Sequence, residues 1–403
     1  MKIAIVSNLY KPHSFGGAEL STELLAHGLQ TNGHEVFILS AAVGKDPTGR
    51  ESIDGIPVYR IKTGLSYSAA ESVGQPIILK AIWHVMDLWN PGVKRRIQKI
   101  LQAEKPDIVH TNVMAGLSPS VWHAARKCGI PVVHTVRDYY FLCTRSNLMK
   151  RNGTLCRDRC VTCRTTGIWK RFMSHLPNAV AGISQFVLDK HREFGLFVDV
   201  PSVVIPNPIA KEEGVNSGSR RVLDDRPVEA VFLGRLEFPK GPQVILEALK
   251  LVPELPLKLH LCGDGPLLNF LREKYGDDQR IEFMGRVDSS GKAVILESAD
   301  IMLVPSIFFE PFNRTIIEAY QYGLAVVASR IGGIPEILED GLAGRLFEPG
   351  NSRQLADILL DLVKDKKTLA SLKQRAADQA ANYQLPEHVR KYETLYRSVV
   401  QVG

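Results

Sequence analysis

Short continuous apolar runs alternate with stretches of helical period along nearly the whole chain. Residues 2–6 read as a buried strand. Gly16, Gly17 and Ala18 then open a helical pattern that runs to about Gln30 and stops at Gly33, and residues 35–39 form the next strand. Strand-like runs at 107–111, 131–136, 179–183 and 202–205 continue the alternation. A doubly wound, mainly parallel α/β sheet is the simplest architecture that satisfies it. After Pro206-Asn207-Pro208 the stretch 211–226 is charged, rich in Ser and Gly and poor in apolar residues, the composition of a linker or long exposed loop. The alternation then resumes with runs at 230–233, 258–262, 280–284, 301–304 and 325–328. This predicts two Rossmann-like domains, 1–207 and 208–385. Residues 355–400 have helical period, broken near Pro386, and 386–403 are expected to form a helix crossing back to the first domain.

Composition narrows the class. With 403 residues, 45% hydrophobic and 23% charged, the chain is neither fibrous nor disordered, and its length suits two domains with cores of their own. No run of about 18 apolar residues free of charge predicts a membrane-spanning helix. The first residues, MKIAIVSNLY, lack the apolar length and cleavage site of a signal peptide, from which a cytoplasmic protein with at most peripheral membrane contact is expected. Charge is uneven. Residues 1–205 carry 25 Lys+Arg against 15 Asp+Glu, and the remainder 25 against 28. The basic half favours an anionic partner: a phosphate-bearing substrate, an anionic membrane or nucleic acid.

Candidate chemistry gathers where strands end. Gly16-Gly17-Ala18-Glu19 puts glycines at a helix start, where free N–H groups favour an anion, although the same residues suit a plain turn. The absence of G-x-G-x-x-G and G-x-x-x-x-G-K-[ST] weakens dinucleotide and Walker-type readings. In the second half, Gly234-Arg235-Leu236-Glu237-Phe238-Pro239-Lys240-Gly241 sets Arg235 and Lys240 on a loop leaving a strand, two cations suited to the charge of a departing diphosphate. Glu310 and Glu318 have seven residues between them, the first at a loop end and the second in a helix. Glu310 is placed to hold sugar hydroxyls, the N–H groups from Phe312 through Asn313 to Arg314 to face a phosphate, and Glu318 to accept two ribose hydroxyls. Gly263-Asp264-Gly265-Pro266 and Gly332-Gly333-Ile334-Pro335-Glu336 are further glycine turns at strand ends, the ligand-binding edge of open α/β sheets.

In order and spacing, GGAE, GRLEFPKG, CGDGP, the E-x7-E pair and GGIPE resemble the retaining nucleotide-sugar glycosyltransferases of family 4. That resemblance covers nearly the whole chain. It implies the GT-B fold, two facing Rossmann-like domains with a cleft between them. It implies that Arg235 and Lys240 bind the donor diphosphate, with Gly263 and Asp264 beside it, that Glu318 binds the ribose, that Glu310 and the following backbone bind the transferred sugar, and that Gly16 and Gly17 meet the phosphate. It further implies retention at the anomeric carbon with no catalytic metal or other cofactor, and a glycan or lipid-linked acceptor in cell-surface polysaccharide or glycolipid assembly. A non-catalytic sugar-nucleotide-binding subunit and a sugar-nucleotide epimerase or phosphorylase stand as alternatives. Two departures matter. Many relatives have His-Asp where this chain has Arg137-Asp138, so Arg137 is expected to meet an anionic group on acceptor or donor, with Asp138 and His110 on the acceptor side. Many also have Gly where Asn313 stands, which suggests a left-handed conformation that Asn tolerates.

Four of the six cysteines crowd into Cys143, Cys156, Cys160 and Cys163, a C-x12-C-x3-C-x2-C pattern within about 140–170. In a cytoplasmic protein such a cluster suits a closed structural zinc site first, with disulfides, free thiols and an iron–sulfur cluster left open. Its arginines resemble those of a nucleic-acid module, but aromatic residues for base stacking are missing from 143–164, so nucleic acid is not the expected partner. The stretch 77–100, with Trp83, Trp89 and Lys94-Arg95-Arg96, reads either as a core-packed helix interrupted by Pro91 or as an apolar face laid on an anionic membrane.

Overall fold

The computed structural model describes residues 1–13, 16–44, 46, 48–67, 74–150, 152–210 and 226–401. Most of the predicted 211–226 linker lies outside them. The chain divides into two compact units. One comprises residues 1–148, 156–208 and 385–403, the other 149–155 and 209–384.

The first unit is built on eight strands: β1 (Lys2–Ser7), β2 (Glu35–Ala41), β3 (Gly49–Ile53), β4 (Ile56–Ile61), β5 (Ile108–Thr111), β6 (Val132–Val136), β7 (Ala179–Gly182) and β8 (Ser202–Val204). Their order is β3-β4-β2-β1-β5-β6-β7-β8. Every pair is parallel except β3 with β4. Central strands such as β1 and β5 are buried on both faces, which is why they read as unbroken apolar runs. The last helix, Leu385–Val400, packs on the first, Gly17–Thr31. Gly28 makes the approach possible, because a Cβ there would collide with Val389. Tyr392 and Tyr396 of this helix reach the sheet, bonding Thr135 at 2.8 Å and His110 at 2.7 Å.

The second unit holds β9 (Val228–Leu233), β10 (Leu257–Cys262), β11 (Ile281–Gly285), β12 (Ile301–Val304), β13 (Ala325–Ser329) and β14 (Gly344–Phe347). They form one parallel sheet in the order β11-β10-β9-β12-β13-β14. Arg226, at the end of the predicted linker, bonds the fully buried Asp300, as does Lys373 at 2.6 Å.

Residues 77–100 form two helices rather than one. In Pro91–Glu104, capped by the Asn90 side chain, Val93, Ile97 and Leu101 are buried, the core packing expected of the stretch. In Ile77–Leu88 only Trp83 and Asp87 are buried.

His110, His134 and His191 are buried in the first unit, and burial holds their pKa values down, His134 to about 3 and His191 to about 4. A histidine kept neutral in the fold contributes stability that is whole above the unfolded value near 6.5 and is lost as pH falls below it. Asp87 opposes this, since burial raises its carboxyl to about 6 and folding there takes up a proton, and burial raises the carboxyls of Asp138 and Glu19 in the same direction. The three histidines, with His84 and His123 lowered by burial beside them, outweigh these carboxyls, so urea unfolding should show a loss of about 2 kcal/mol between pH 7.5 and 6. His134→Gln should flatten that slope. A stability independent of pH across this window would contradict the assignment.

Candidate active site

The second unit interlocks its strand-end loops through glycine. Gly263 (φ +147°) and Gly265 (φ +159°) lie against the carbonyls of Gly234 and Leu236, where any Cβ would clash. Leu236 N–H donates to Asp264 O at 2.9 Å and Leu267 N–H to Leu236 O at 2.9 Å. The loop after β9 is thus stitched to the loop after β10. Gly241 (φ +71°) sits against the Pro305 carbonyl, and Ile307 N–H bonds Pro239 O at 2.9 Å, so the same loop is also fixed to the segment after β12.

These ties bring predicted residues together. Lys240 Nζ lies 2.7 Å from Glu310 Oε1 and 5.1 Å from the centroid of the Phe308 ring. The same carboxylate oxygen accepts Ser306 Oγ at 2.8 Å and Asn313 Nδ2 at 3.3 Å. Glu310 is buried, and its carbonyl accepts Gly333 N–H at 2.7 Å from the GGIPE turn. Arg235 stays open to solvent, its side chain 70% exposed and 3.4 Å from Glu237. That leaves its guanidinium available to an incoming anion.

Asn313 does not adopt the left-handed conformation expected of it. At φ −104° it caps the helix Arg314–Gln321, accepting Thr315 N–H at 3.0 Å and the Thr315 hydroxyl at 2.6 Å. Asn313 serves here as a helix cap and not for backbone freedom. Phe312 is buried edge-on to Tyr383. One and a half turns beyond the cap, Glu318 lies 3.5 Å from Lys292 and 3.9 Å from Arg314, partly exposed.

In the first unit, Gly16 caps the first helix in extended backbone, a conformation open to any residue. Glu19 folds back to accept the N–H groups of Gly16 and of its own backbone, as in a capping box. An anion at this helix end would therefore replace a carboxylate already there. Burial pushes the Glu19 carboxyl above its ordinary range while the field of Arg137 lowers it. Arg137 is buried, with Nε 2.8 Å from Asn112 Oδ1 and Nη1 on Asn207. Its Nη2 has no protein partner among the described residues. Asp138 accepts Tyr140 N–H at 2.9 Å, and burial raises its pKa. His110 is fully buried with both ring nitrogens bonded, to Thr135 at 2.7 Å and to Tyr396 at 2.7 Å. It packs the sheet against the last helix and offers no free edge to an acceptor. A cavity of about 520 Å³ opens at the ends of β1, β2 and β4, lined by Asn8, Asp46, Lys62, Ser66 and Gly116 among others.

Among the described residues no disulfide joins Cys143, Cys156, Cys160 or Cys163. Cys163 interacts with both Cys143 and Cys160, and its hydrogen bond to Cys143, helped by the N–H groups of Arg145, Leu148 and Asn147, holds the Cys143 thiol well below its usual pKa. Among the described residues no group of three or more His, Cys, Asp or Glu is arranged to hold a metal ion, so the expected zinc gains no support.

Residues 15–213 match the family described as Glycosyltransferase Family 4, and residues 219–379 that described as Glycosyl transferases group 1. The chain belongs to the family 4 glycosyltransferases. An uncharacterized 42.6 kDa protein in the cps region of Klebsiella pneumoniae is 29% identical over 341 residues, 84% of this chain and 87% of that one. A phosphatidyl-myo-inositol mannosyltransferase of Mycolicibacterium smegmatis is 32% identical over 212 residues, 50% of this chain and 54% of its own. Sucrose-phosphate synthase from Thermosynechococcus elongatus superposes with a TM-score of 0.78 at 17% identity, covering 100% of both chains. HepE from Anabaena, solved in complex with UDP-glucose, gives 0.70 at 20% identity over 98% of this chain and 99% of its own. The fold is GT-B.

Sequence reasoning passed over Ser306 and Lys292, which orient the two glutamates, and the role of Glu19. Only Glu19 carried a signal, three residues after the cap in GGAE.

Proposed function

We propose that this family 4 enzyme transfers a hexosyl group, with retention, from a nucleoside diphosphate sugar to a hydroxyl of a glycan or lipid-linked acceptor, in polysaccharide or glycolipid assembly at the cytoplasmic face of a membrane. The observation that carries the reading is the junction of Lys240, Glu310 and the three interlocked loops beside the exposed Arg235. During transfer the bond from the anomeric carbon to the diphosphate breaks and a bond to the acceptor oxygen forms on the same face. The acceptor proton passes to a departing diphosphate oxygen. Arg235 and Lys240 meet the charge growing on that diphosphate. Glu310, with Oε1 already held by three donors, offers Oε2 to sugar hydroxyls, and Glu318 accepts the ribose. The chemistry asks for no further cofactor. Arg137 and Asp138 belong on the acceptor side. The UDP-glucose bound by HepE supports a nucleotide-sugar donor, and the mannosyltransferase of a phosphatidyl lipid supports the acceptor class.

Calorimetry with UDP, GDP, ADP and TDP and their common sugar conjugates tests this, in buffer containing EDTA. One nucleotide should bind tightly, and Arg235→Ala/Lys240→Ala should weaken it at least a hundredfold. No binding by any nucleotide would sink the donor site. Binding without acceptor-dependent turnover would favour a non-catalytic partner subunit.

A further inference from the structure

The helices Ile77–Leu88 and Val161–Met173 lie side by side, joined where Trp169 Nε1 donates to the Leu88 carbonyl at 2.9 Å and Trp89 meets Trp169 edge to face at 5.9 Å. Behind the joint the buried Asp87 and Lys170 attract each other, one from each helix. The outward side of this pair is apolar. Ile78 is 74% exposed and Val85 68% on the first helix, Ile168 73% and Phe172 70% on the second. On Val161–Met173 the exposed Val161, Ile168 and Phe172 fall on one stripe at i, i+7 and i+11, and Arg164 and Arg171 flank it, both exposed. Both helices belong to the same unit.

Charge selects the partner. Between residues 139 and 188 the sequence carries eight Lys and Arg and one acid, Asp158, and the only acid of Ile77–Leu88 is buried. A second copy docking here about a twofold axis would set these arginines against themselves with too few acids to meet them. An apolar stripe flanked by arginines and bearing Trp matches a surface that lies in the headgroup region of a bilayer, apolar side chains among the acyl chains and guanidinium groups on lipid phosphates. We infer that this two-helix face docks the enzyme on an anionic membrane. The inference deepens the lipid-linked acceptor proposed above, but it rests on the surface and not on the donor site, and its test needs no turnover.

Vesicles of phosphatidylcholine alone and of phosphatidylcholine with 30% phosphatidylglycerol are sedimented with the full chain at low and high salt. The wild type should partition onto the anionic vesicles at least tenfold more strongly than onto neutral ones, and less so at high salt. Ile168→Asn/Phe172→Asn and Arg164→Glu/Arg171→Glu should each lose at least tenfold of that binding. Both pairs alter exposed side chains, so their thermal midpoints should stay near wild type, and their nucleotide binding separates a failure here from a failure of the donor site. Absence of wild-type binding to anionic vesicles, or binding unchanged in both variants, overturns the inference. So does a wild-type dimer by light scattering that either variant converts to monomer, since a second copy would then cover the face.

Discussion

Lys240→Ala is expected to cut donor-dependent transfer by about a thousandfold and to destabilise the second unit as well. The two effects have separate causes. Transfer suffers because the cation facing the departing diphosphate is gone, and removal of one such group typically costs about two to three orders of magnitude in rate. Stability suffers because Glu310 is buried, and Lys240 at 2.7 Å is its only cationic partner among the described residues. An uncompensated buried carboxylate costs roughly 3–5 kcal/mol. Lys240 is about a third exposed, and Ser306 and Asn313 still donate to Glu310, so a loss below that range, about 1–3 kcal/mol, is expected. Adding Glu310→Gln separates the two. The double variant should regain most of its urea midpoint because no charge is left buried, and it should regain none of its turnover. A single Lys240→Ala variant with wild-type turnover would remove Lys240 from the chemistry.

The split between what the sequence disclosed and what it hid follows physical lines. Strands buried on both faces announce themselves, and every run predicted at 107–111, 301–304 or 325–328 forms a strand within a residue or so. The β3–β4 hairpin escaped because Gly49–Ile53 is an exposed edge without an apolar face. Yet its turn was readable. Asp54-Gly55 with φ +50° and +77° is the two-residue connection that Asp-Gly favours. β14 escaped because four residues carrying Arg345 and buried in the sheet do not alternate. Asn313 shows the opposite failure, in which a correct position received the wrong reason. Seen only as a substitute for glycine it suggested backbone freedom, whereas its place before Arg314 makes it a cap.

The candidate site was legible as a set of residue types but not as a contact. Lys240 and Glu310 are 70 positions apart, and nothing in either motif states that one neutralises the other. That information resides in the glycines, which set how closely three loops approach. His110 and Ile77–Leu88 mark the limit of pattern reading. A histidine at a strand end looks like a ligand until a helix from the far terminus bonds its ring, and an apolar helix looks like core until its neighbours leave it uncovered.

Because those glycines hold the loops, Gly263→Ala should be the most damaging single methyl addition in the second unit. Two penalties act at once. The backbone at φ +147° is one that L side chains rarely adopt, and the new Cβ would collide with the Gly234 carbonyl, a backbone atom that cannot swing aside as a side chain can. Relief requires the β9 and β10 loops to part, which breaks the Leu236–Asp264 bond and moves Arg235 away from the position its loop now fixes. The expected result is a loss of about 3 kcal/mol or more in urea unfolding, together with loss of nucleotide binding. Gly350→Ala supplies the control. Its φ of +79° also lies in the left-handed region, but a Cβ there meets nothing within 4 Å. That variant should bear the backbone cost alone, about 1 kcal/mol, with nucleotide affinity unchanged. Equal destabilisation by the two alanines would show that conformation alone, and not close approach, governs the loop. A Gly263→Ala variant that lost stability while keeping full nucleotide affinity would separate the stitched loops from the donor site.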